Sequence, residues 1–290
     1  MNNIRLQIKI VGIVQGVGFR PFIYRLAKKY NFCGWVQNTT EGVKLEIEGE
    51  QRRVEDFPDL IKEEAPPLAR IEKIIFKKIP VKRDTTFDIK ESDNTRKKTA
   101  MIPPDVAICS DCIKDITDSD NFRYRYPFTT CTNCGPRFSI IKGLPYDRSR
   151  TTMKDFNMCS VCEREYTDPL DRRYHAQPNA CPKCGPQIWL VDNRGNMCST
   201  DDPVKKTIEF LKQGKIVAVK GLGGFHLMCD ARNKQLISKL RRRKKRPDKP
   251  LALMMDNLTT VSKYCHFNKQ EKDILTGYRK PILLLDKKGE

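Results

Sequence analysis

Eight of the 12 cysteines stand in four Cys-x-x-Cys pairs: Cys109/Cys112, Cys131/Cys134, Cys159/Cys162 and Cys181/Cys184. The last two pairs repeat the first two at an offset of 50 residues, so each half reads C-x2-C-x18-C-x2-C. The flanking text repeats as well. Cys134-Gly135-Pro136 answers Cys184-Gly185-Pro186, and Arg123-Tyr124 answers Arg173-Tyr174. The segment is a tandem duplication. Two cysteines separated by two residues form a tight knuckle that turns both sulfurs toward one tetrahedral ion, and two knuckles close a four-thiolate shell. The frame predicts two structural Zn2+ sites with no open ligand position, hence no catalytic role for the metal. Sequential pairing of the knuckles is the simplest; a cross-braced pairing satisfies the same spacing. A redox Cys-x-x-Cys usually stands singly near a βαβ unit. Cys33, Cys198, Cys229 and Cys265 have no such frame and read as ordinary buried thiols.

A second chemistry is written in Gly12-Ile13-Val14-Gln15-Gly16-Val17-Gly18-Phe19-Arg20. A glycine-rich turn between a strand and a helix points backbone N–H groups inward, and the helix N-terminus adds partial positive charge, so such a turn cradles phosphate. Arg20 at the junction is placed to grip two phosphate oxygens. The same glycines also suit an ordinary tight turn. Farther on, Arg241, Arg242, Arg243, Lys244, Lys245, Arg246 and Lys249 make a dense basic run. Alone it reads as a solvated helix end; preceded by Lys220 and a glycine turn, it reads as a surface for a triphosphate. His175 and His226 lie in distinctive text, and both a structural and a catalytic role stay open for each. His266 has no such context.

These residues need elements to position them. With 290 residues, 39% of them apolar, the chain has room for two or three domains. Lys plus Arg number 55 against 36 Asp plus Glu, and the +19 balance points to anionic partners: phosphates, nucleotides, nucleic acid or an acidic protein surface. No apolar run approaches about 18 residues, so no membrane-spanning helix is expected. Met1-Asn2-Asn3-Ile4-Arg5 lacks the apolar stretch of a secretory signal. The expected compartment is the cytoplasm, where thiols bind metal more often than they pair.

A zinc module over 105–190 separates an N-terminal domain, 1–92, from a C-terminal segment, 200–290. Glu91–Lys98 and Asp192–Asn196 read as linkers. In the first domain Ile4, Leu6, Ile8 and Ile10 alternate with polar residues as in a half-buried strand. Pro21 sits in the first turn of a helix through Ala27. Trp35–Asn38 and Val43–Ile47 make a strand pair around Thr40-Glu41-Gly42. Arg53–Ile61 reads as a second helix and Ile71–Ile79 as a last strand, extended by Phe87–Ile89. The order βαββαβ is that of a ferredoxin-like α/β sandwich. In the tail, a helix over Val204–Leu211, a strand over Ile216–Val219, a helix over Lys234–Lys245 and a strand over Leu251–Met255 give an α/β pattern.

The Gly12–Arg20 run resembles the acylphosphatase signature, as does Gly34-Trp35-Val36-Gln37-Asn38 followed by Gly42. The resemblance implies that the loop amides of Gln15, Gly16, Val17, Gly18, Phe19 and Arg20 bind phosphate, that Arg20 is catalytic, and that Asn38 positions the attacking water. The match departs at Lys44, where small acylphosphatases usually carry an apolar residue; neither catalytic position is touched. Pro21-Phe22 after the arginine resembles one family in particular. So do Asn133-Cys134-Gly135-Pro136-Arg137-Phe138, Leu144-Pro145-Tyr146-Asp147-Arg148 and His175-Ala176-Gln177-Pro178-Asn179-Ala180-Cys181. The family is that of the HypF carbamoyltransferases of NiFe-hydrogenase maturation. The tail, Val219-Lys220-Gly221-Leu222-Gly223-Gly224-Phe225-His226-Leu227 and then Arg246-Pro247-Asp248-Lys249-Pro250-Leu251, resembles the start of a YrdC-like nucleotide-binding domain.

The resemblance implies an α+β multidomain protein: an acylphosphatase sandwich, two four-cysteine zinc fingers and a truncated α/β YrdC-like domain. It implies that Lys220, Lys244, Arg246 and Lys249 hold ATP phosphates. Carbamoyl phosphate would be hydrolysed to carbamate, carbamate adenylated with ATP to carbamoyl-AMP, and the carbamoyl group passed to the C-terminal cysteine of the partner HypE, as precursor of the cyanide ligand. Family members continue far past residue 290, so the chain reads as an N-terminal fragment or part of a split gene. Hydrolysis is then expected to survive, with adenylation and transfer lost unless a second chain supplies the rest. Two other readings compete. A stand-alone acylphosphatase with an inert remainder would bind no ATP. A zinc-bearing RNA-binding protein is suggested by the charge and by Phe122, Tyr124, Tyr126 and Phe128 interleaved with Arg123 and Arg125. Even weak RNA binding would show a steep salt dependence, but this reading leaves Arg20 and Asn38 without a task.

Overall fold

A computed structural model describes residues 3–92 and 102–289. Of the polar run Glu91–Lys98, only Glu91 and Ser92 fall among them. The chain divides into two compact units, Met1–Pro186 and Gln187–Glu290.

The first unit opens with β1 (Asn3–Ile13), α1 (Phe19–Lys29), β2 (Cys33–Thr39), β3 (Gly42–Glu50), α2 (Gln51–Glu63) and β4 (Arg70–Ile79). With β5 (Phe87–Ile89) they form a sheet of order β4-β1-β3-β2-β5. β1 lies antiparallel to β3, pairing Leu6 with Ile47 and Ile8 with Leu45, and antiparallel to β4. The alternation read from the sequence sets the two faces. Leu6, Ile8, Ile10, Leu45 and Ile47 face Ile23 and Leu26 of α1 and Val54, Phe57 and Ile61 of α2, and all are buried in one core. At Gly12, where β1 shifts register against β4, φ is +134° and a Cβ would lie 2.0 Å from the Arg70 carbonyl oxygen. Only glycine fits there.

Phe87–Ile89 does not extend β4. It is a separate strand at the opposite edge, parallel to β2, with Gly34 beside Phe87 and Val36 beside Ile89. The chain crosses the sheet to reach it, and a buried charge cluster explains the crossing. Arg5 projects from the face away from the helices and is buried, bonded to Glu46 (2.9 Å) and Glu48 (2.8 Å) of β3. The crossing segment covers it. Asp84 pairs with Arg5 at 2.7 Å, and the Lys82 and Arg83 N–H groups donate to Glu48 at 2.8 Å each. A buried guanidinium demands such partners, since an unpaired buried charge is prohibitive.

The rest of this unit is built on the repeat. Cys109 caps α3 (Ser110–Thr117) and Cys159 caps α4 (Ser160–Thr167), so each first knuckle straddles a helix start. The halves interlock by exchanging the same bonds. Arg123 of the first half reaches Glu165 (2.6 Å) and the Ala180 carbonyl (2.9 Å) of the second. Arg173, its counterpart, reaches Asp115 and the Thr130 carbonyl (3.1 Å) of the first. Tyr126 packs with Ile140, Met153 and Ala180 in a small second core.

The second unit contains α5 (Pro203–Lys212), a hairpin of β6 (Val217–Gly221) and β7 (Gly224–Met228), α6 (Lys234–Lys244), α7 (Leu258–Tyr264) and α8 (Lys269–Thr276). Asp202, Asn233, Asn257 and Asn268 cap α5 to α8 through side-chain oxygens. Leu251–Met255, expected as a strand, is irregular, with Leu253 and Met254 exposed. An apolar run becomes a strand only against a ladder partner, and it has none among the described residues. Asp192–Asn196 forms a turn closed by a Val191–Met197 bridge.

Candidate active site and metal centres

The four sulfurs of Cys109, Cys112, Cys131 and Cys134 lie within 4.8 Å of one another, as do those of Cys159, Cys162, Cys181 and Cys184. The pairing is sequential, not cross-braced. Neighbouring sulfurs stand 3.7 Å (Cys109–Cys131), 3.8 Å (Cys131–Cys134), 3.7 Å (Cys159–Cys181) and 3.6 Å (Cys181–Cys184) apart. A tetrahedron with Zn–S of about 2.3 Å has edges of about 3.8 Å, so both clusters fit zinc. Four thiolates around Zn2+ leave a net negative charge, and guanidinium donors meet it: Arg172 at 3.1 Å from Cys112 Sγ, Arg123 at 3.4 Å from Cys162 Sγ. Each arginine comes from the other half of the repeat. Cys33, Cys198, Cys229 and Cys265 are half-buried rather than buried. Among the described residues they lie in no such cluster.

The glycine-rich loop joins β1 to α1. Gly16 (φ +67°) and Gly18 (φ +73°) take left-handed conformations, and Gly18 caps α1. Among the described residues none accepts a hydrogen bond from the Gly16, Val17 or Gly18 N–H. The Gly16 and Gly18 backbones and the start of α1 border an open cleft. Gln15, Gly16, Gly18, Phe19, Arg20 and Asn38 line it, and Val17 does not. The Val17 and Phe19 side chains are in the core. Arg20, the second residue of α1, is 8% exposed, and Asn38 on β2 is 1% exposed. With its amide oxygen turned to the guanidinium, Asn38 accepts from Arg20 Nε and Nη2, both at 3.1 Å. That leaves the Asn38 Nδ2 group for a water or ligand. The Gln15 side chain is fully used: Nε2 donates to the Thr39 and Gly42 carbonyls (2.7 and 2.9 Å), and Oε1 accepts from the Tyr146 N–H (3.1 Å).

The other wall of the cleft belongs to the zinc module, a feature the sequence reading did not assign. Thr132, Arg137, Tyr146, His175 and Gln177 line it. Arg137 is buried, and among the described residues no carboxylate pairs with its guanidinium. Its guanidinium serves the carbonyls of Gly16 (2.8 Å), Gly135 (2.8 Å) and Thr132 (2.6 Å), so the module clamps the glycine-rich loop directly. Packing is close enough that a Cβ on Gly16 would stand 2.9 Å from Pro103 and 3.0 Å from the Tyr146 ring. Asp147 Oδ1 accepts from Arg20 Nη2 at 3.1 Å. His175 stacks on Tyr166 (5.1 Å, 24°) and meets the edge of Tyr174 (4.5 Å). Burial, then the Arg20 charge, push its pKa down to about 4, so the ring is neutral. Arg137, Asp147 and Tyr146 stand in the motif text, but nothing local shows that they face a loop more than 120 residues earlier.

The remaining expectations divide. Lys244, Arg246 and Lys249 gather at the end of α6, where Arg241 folds the chain back by bonding the Arg246, Pro247 and Lys249 carbonyls at 3.2, 2.9 and 3.0 Å. Arg246 bonds the Pro250 carbonyl at 2.7 Å, and its buried Nε has no partner among the described residues. Lys220 lies on the hairpin, its ammonium 5.7 Å from the Phe225 ring centre, and His226 is exposed on β7. The aromatic and basic run 122–128 divides: Arg123 is buried in its ion pair and Tyr126 in the second core, while Phe122, Tyr124 and Arg125 are exposed. Among the described residues no helix is long and apolar enough to cross a membrane.

Comparison with known proteins agrees with this layout. The acylphosphatase family matches residues 6–89, the HypF finger family 108–141 and 158–191, and the Sua5/YciO/YrdC family, described as telomere recombination, 209–290. The carbamoyltransferase HypF of Synechocystis is 48% identical over 284 residues, 98% of this chain and 37% of the relative. A crystal structure of full-length HypF in a phosphate- and nucleotide-bound form superposes with TM-score 0.93 at 46% identity, over 100% of this chain and 38% of that one. An acylphosphatase of Leuconostoc mesenteroides is 36% identical over 86 residues, 29% of this chain and 96% of the relative. The chain thus spans about 37% of the length of the curated carbamoyltransferase it matches. In domain order, in both cysteine clusters and in fold it corresponds to the N-terminal region of the HypF carbamoyltransferases, and it belongs to that family.

Proposed function

We propose that the first unit hydrolyses carbamoyl phosphate, and that its product feeds an ATP-dependent step. The observation that carries this is the buried Arg20–Asn38 pair beside loop N–H groups that have no protein acceptor among the described residues. The loop amides and Arg20 bind the phosphoryl oxygens and stabilise the charge that builds in the transition state. Asn38, its oxygen held by Arg20, holds the attacking water through Nδ2. The water oxygen bonds to phosphorus, the bond from phosphorus to the acyl oxygen breaks, and carbamate leaves with the electron pair. The Leuconostoc acylphosphatase aligns over nearly its whole length with this domain, which supports acyl-phosphate hydrolysis as the chemistry.

In this reading the second unit supplies part of a nucleotide site. Lys220, Lys244, Arg246 and Lys249 hold ATP phosphates while carbamate attacks the α-phosphorus, giving carbamoyl-AMP and pyrophosphate. The carbamoyl group then passes to the C-terminal cysteine of HypE, in the cytoplasm. The phosphate and nucleotide bound by the full-length HypF structure support both sites. Zinc, when bound, supplies structure: it ties together the cysteine knuckles that carry the far wall of the cleft.

The test is phosphate release from carbamoyl phosphate by the purified chain, wild type beside Arg20→Ala, with zinc content measured on both. Release that falls by about a thousandfold in the variant is expected. Equal release by both proteins, or none from a folded, zinc-loaded wild type, sinks the reading. Calorimetric titration with ATP separates it from a stand-alone acylphosphatase, which would bind no nucleotide.

A further inference from the structure

We propose that Asp147 and His175, both supplied by the zinc module, read the acyl substituent of the substrate: they are two acceptors for the two N–H bonds of a carbamoyl group, and they select it against acyl groups that end in carbon. This rests on the hydrolysis reading above and adds a specificity device to it.

A phosphoryl group held by the loop amides and Arg20 directs its acyl group away from the loop. The facing wall is the zinc module. Most polar atoms of that wall are already engaged. Arg137 is committed to backbone carbonyls. Gln177 Oε1 accepts from the Arg148 N–H (2.6 Å) and the Tyr166 hydroxyl (2.9 Å), and its Nε2 donates to the His175 carbonyl (2.9 Å). Thr132 Oγ1 donates to the Arg172 carbonyl at 3.0 Å. Among the described residues two side-chain acceptors remain: His175 in the lining, and Asp147, which is outside the lining but bonded to Arg20, which is in it. Asp147 uses Oδ1 on Arg20, and no hydrogen bond among the described residues engages its Oδ2. None engages the His175 imidazole either.

The histidine is held for such a task. Tyr166 and Tyr174 fix the ring, and a left-handed backbone (φ +54°) fixes its direction. The repeat provides an internal comparison. Arg125 occupies the same corner in the first half, with φ +57°, and its N–H bonds the Ile116 carbonyl as the His175 N–H bonds that of Tyr166. The corner therefore does not require histidine. Both halves reach the cleft, but of these two corners only that of His175 lines it. Because the ring is neutral, one nitrogen accepts. A methyl group in place of the amide would leave a carboxylate oxygen and a ring nitrogen desolvated and unpaired, the arrangement that gives strong discrimination.

Hydrolysis of carbamoyl phosphate and of acetyl phosphate is measured with the full chain, wild type beside Asp147→Ala, His175→Phe and His175→Asn. The wild type should favour carbamoyl phosphate in kcat/KM by about tenfold or more. Asp147→Ala and His175→Phe should each pull that ratio toward unity, chiefly through carbamoyl phosphate. His175→Asn, which tolerates left-handed backbone and retains an acceptor, should recover part of the preference. A merely structural defect lowers both substrates together and leaves the ratio where it was. A wild-type ratio near unity, or a ratio unmoved in both acceptor-removing variants, overturns the assignment while hydrolysis itself stands. Failure of the wild type to hydrolyse either substrate overturns the hydrolysis reading, and this assignment with it.

Discussion

Arg20 is oriented from two sides before a substrate arrives, by Asn38 across the sheet and by Asp147 from the zinc module. The two residues of the first contact were legible in the sequence, through the resemblance to the acylphosphatase signature, though their bond to each other was not. The second was not: the partners are 127 residues apart, and no periodicity connects them. The same holds for Arg137. Its replacement by methionine strips donors from three half-buried carbonyls and releases Gly16, so a cost of about 1–3 kcal/mol is expected in denaturant unfolding, with a raised KM for the acyl phosphate. Unchanged stability would show that water replaces the guanidinium. The Arg5 cluster was equally hidden, since Arg5 reads as the polar half of an alternating strand. Burial opposes ionisation of Glu46, but hydrogen bonds from Lys82, Arg5 and Gln7 outweigh it and hold the carboxyl at about 2, below the ordinary 4.5. A pKa lowered by folding means that the contribution is complete above about pH 4.5 and is lost as the pH falls toward about 2. The stability gap between wild type and Glu46→Gln should therefore be widest near pH 6 and close toward pH 2. Comparing the two proteins cancels any loss of zinc in acid that is common to both.

At the scale of elements, the duplicated cysteine frame was readable because ligand spacing and repeat period are both one-dimensional signals. The order βαββαβ was readable for the same reason, from alternation and turn residues. How elements lie beside one another was not. Phe87–Ile89 crosses to the far edge of the sheet because residues 82–84 are needed over Arg5, and Leu251–Met255 lacks a strand to pair with. The exchange of arginines between the two halves of the repeat is a further case. Arg123 serves Glu165 and reaches Cys162, while Arg173 serves Asp115 and Arg172 reaches Cys112. Each zinc site is thus completed by the opposite half, and the sites should load and empty together. Arg173→Met leaves Asp115 without one of its two cations and loosens the packing of both helices. With a competing chelator, its zinc content should fall from two toward zero in one phase. A stable one-zinc intermediate would mean that the halves are independent.

On the scale of the whole molecule, stability is unevenly spread. In the first unit the sheet core and the small core of the zinc module are closed, whereas in the second only Leu236 and Leu240 are buried among the described hydrophobic residues. Amide hydrogen exchange should accordingly be faster throughout 203–289 than in β1, β3 and α2. The first unit also divides its labour. The phosphate loop, Arg20 and Asn38 belong to the sheet domain, whose core of Leu6, Ile8, Leu45, Ile47 and the α1 and α2 side chains includes no zinc ligand. Asp147, His175 and the Arg137 clamp belong to the module whose fold depends on its knuckles. Removing zinc should therefore leave the half that carries the glycine-rich loop, Arg20 and Asn38 standing and take away the wall that faces it. Bulk water then reaches Arg20, the loop loses its anchor at Gly16, and the acyl group meets no fixed acceptors. The expected outcome is a rise in KM larger than the fall in kcat, and a preference for carbamoyl over acetyl phosphate that disappears with the metal and returns on adding Zn2+. Equal losses of kcat for both substrates, with KM unmoved, would instead place the module's contribution in the transition state itself.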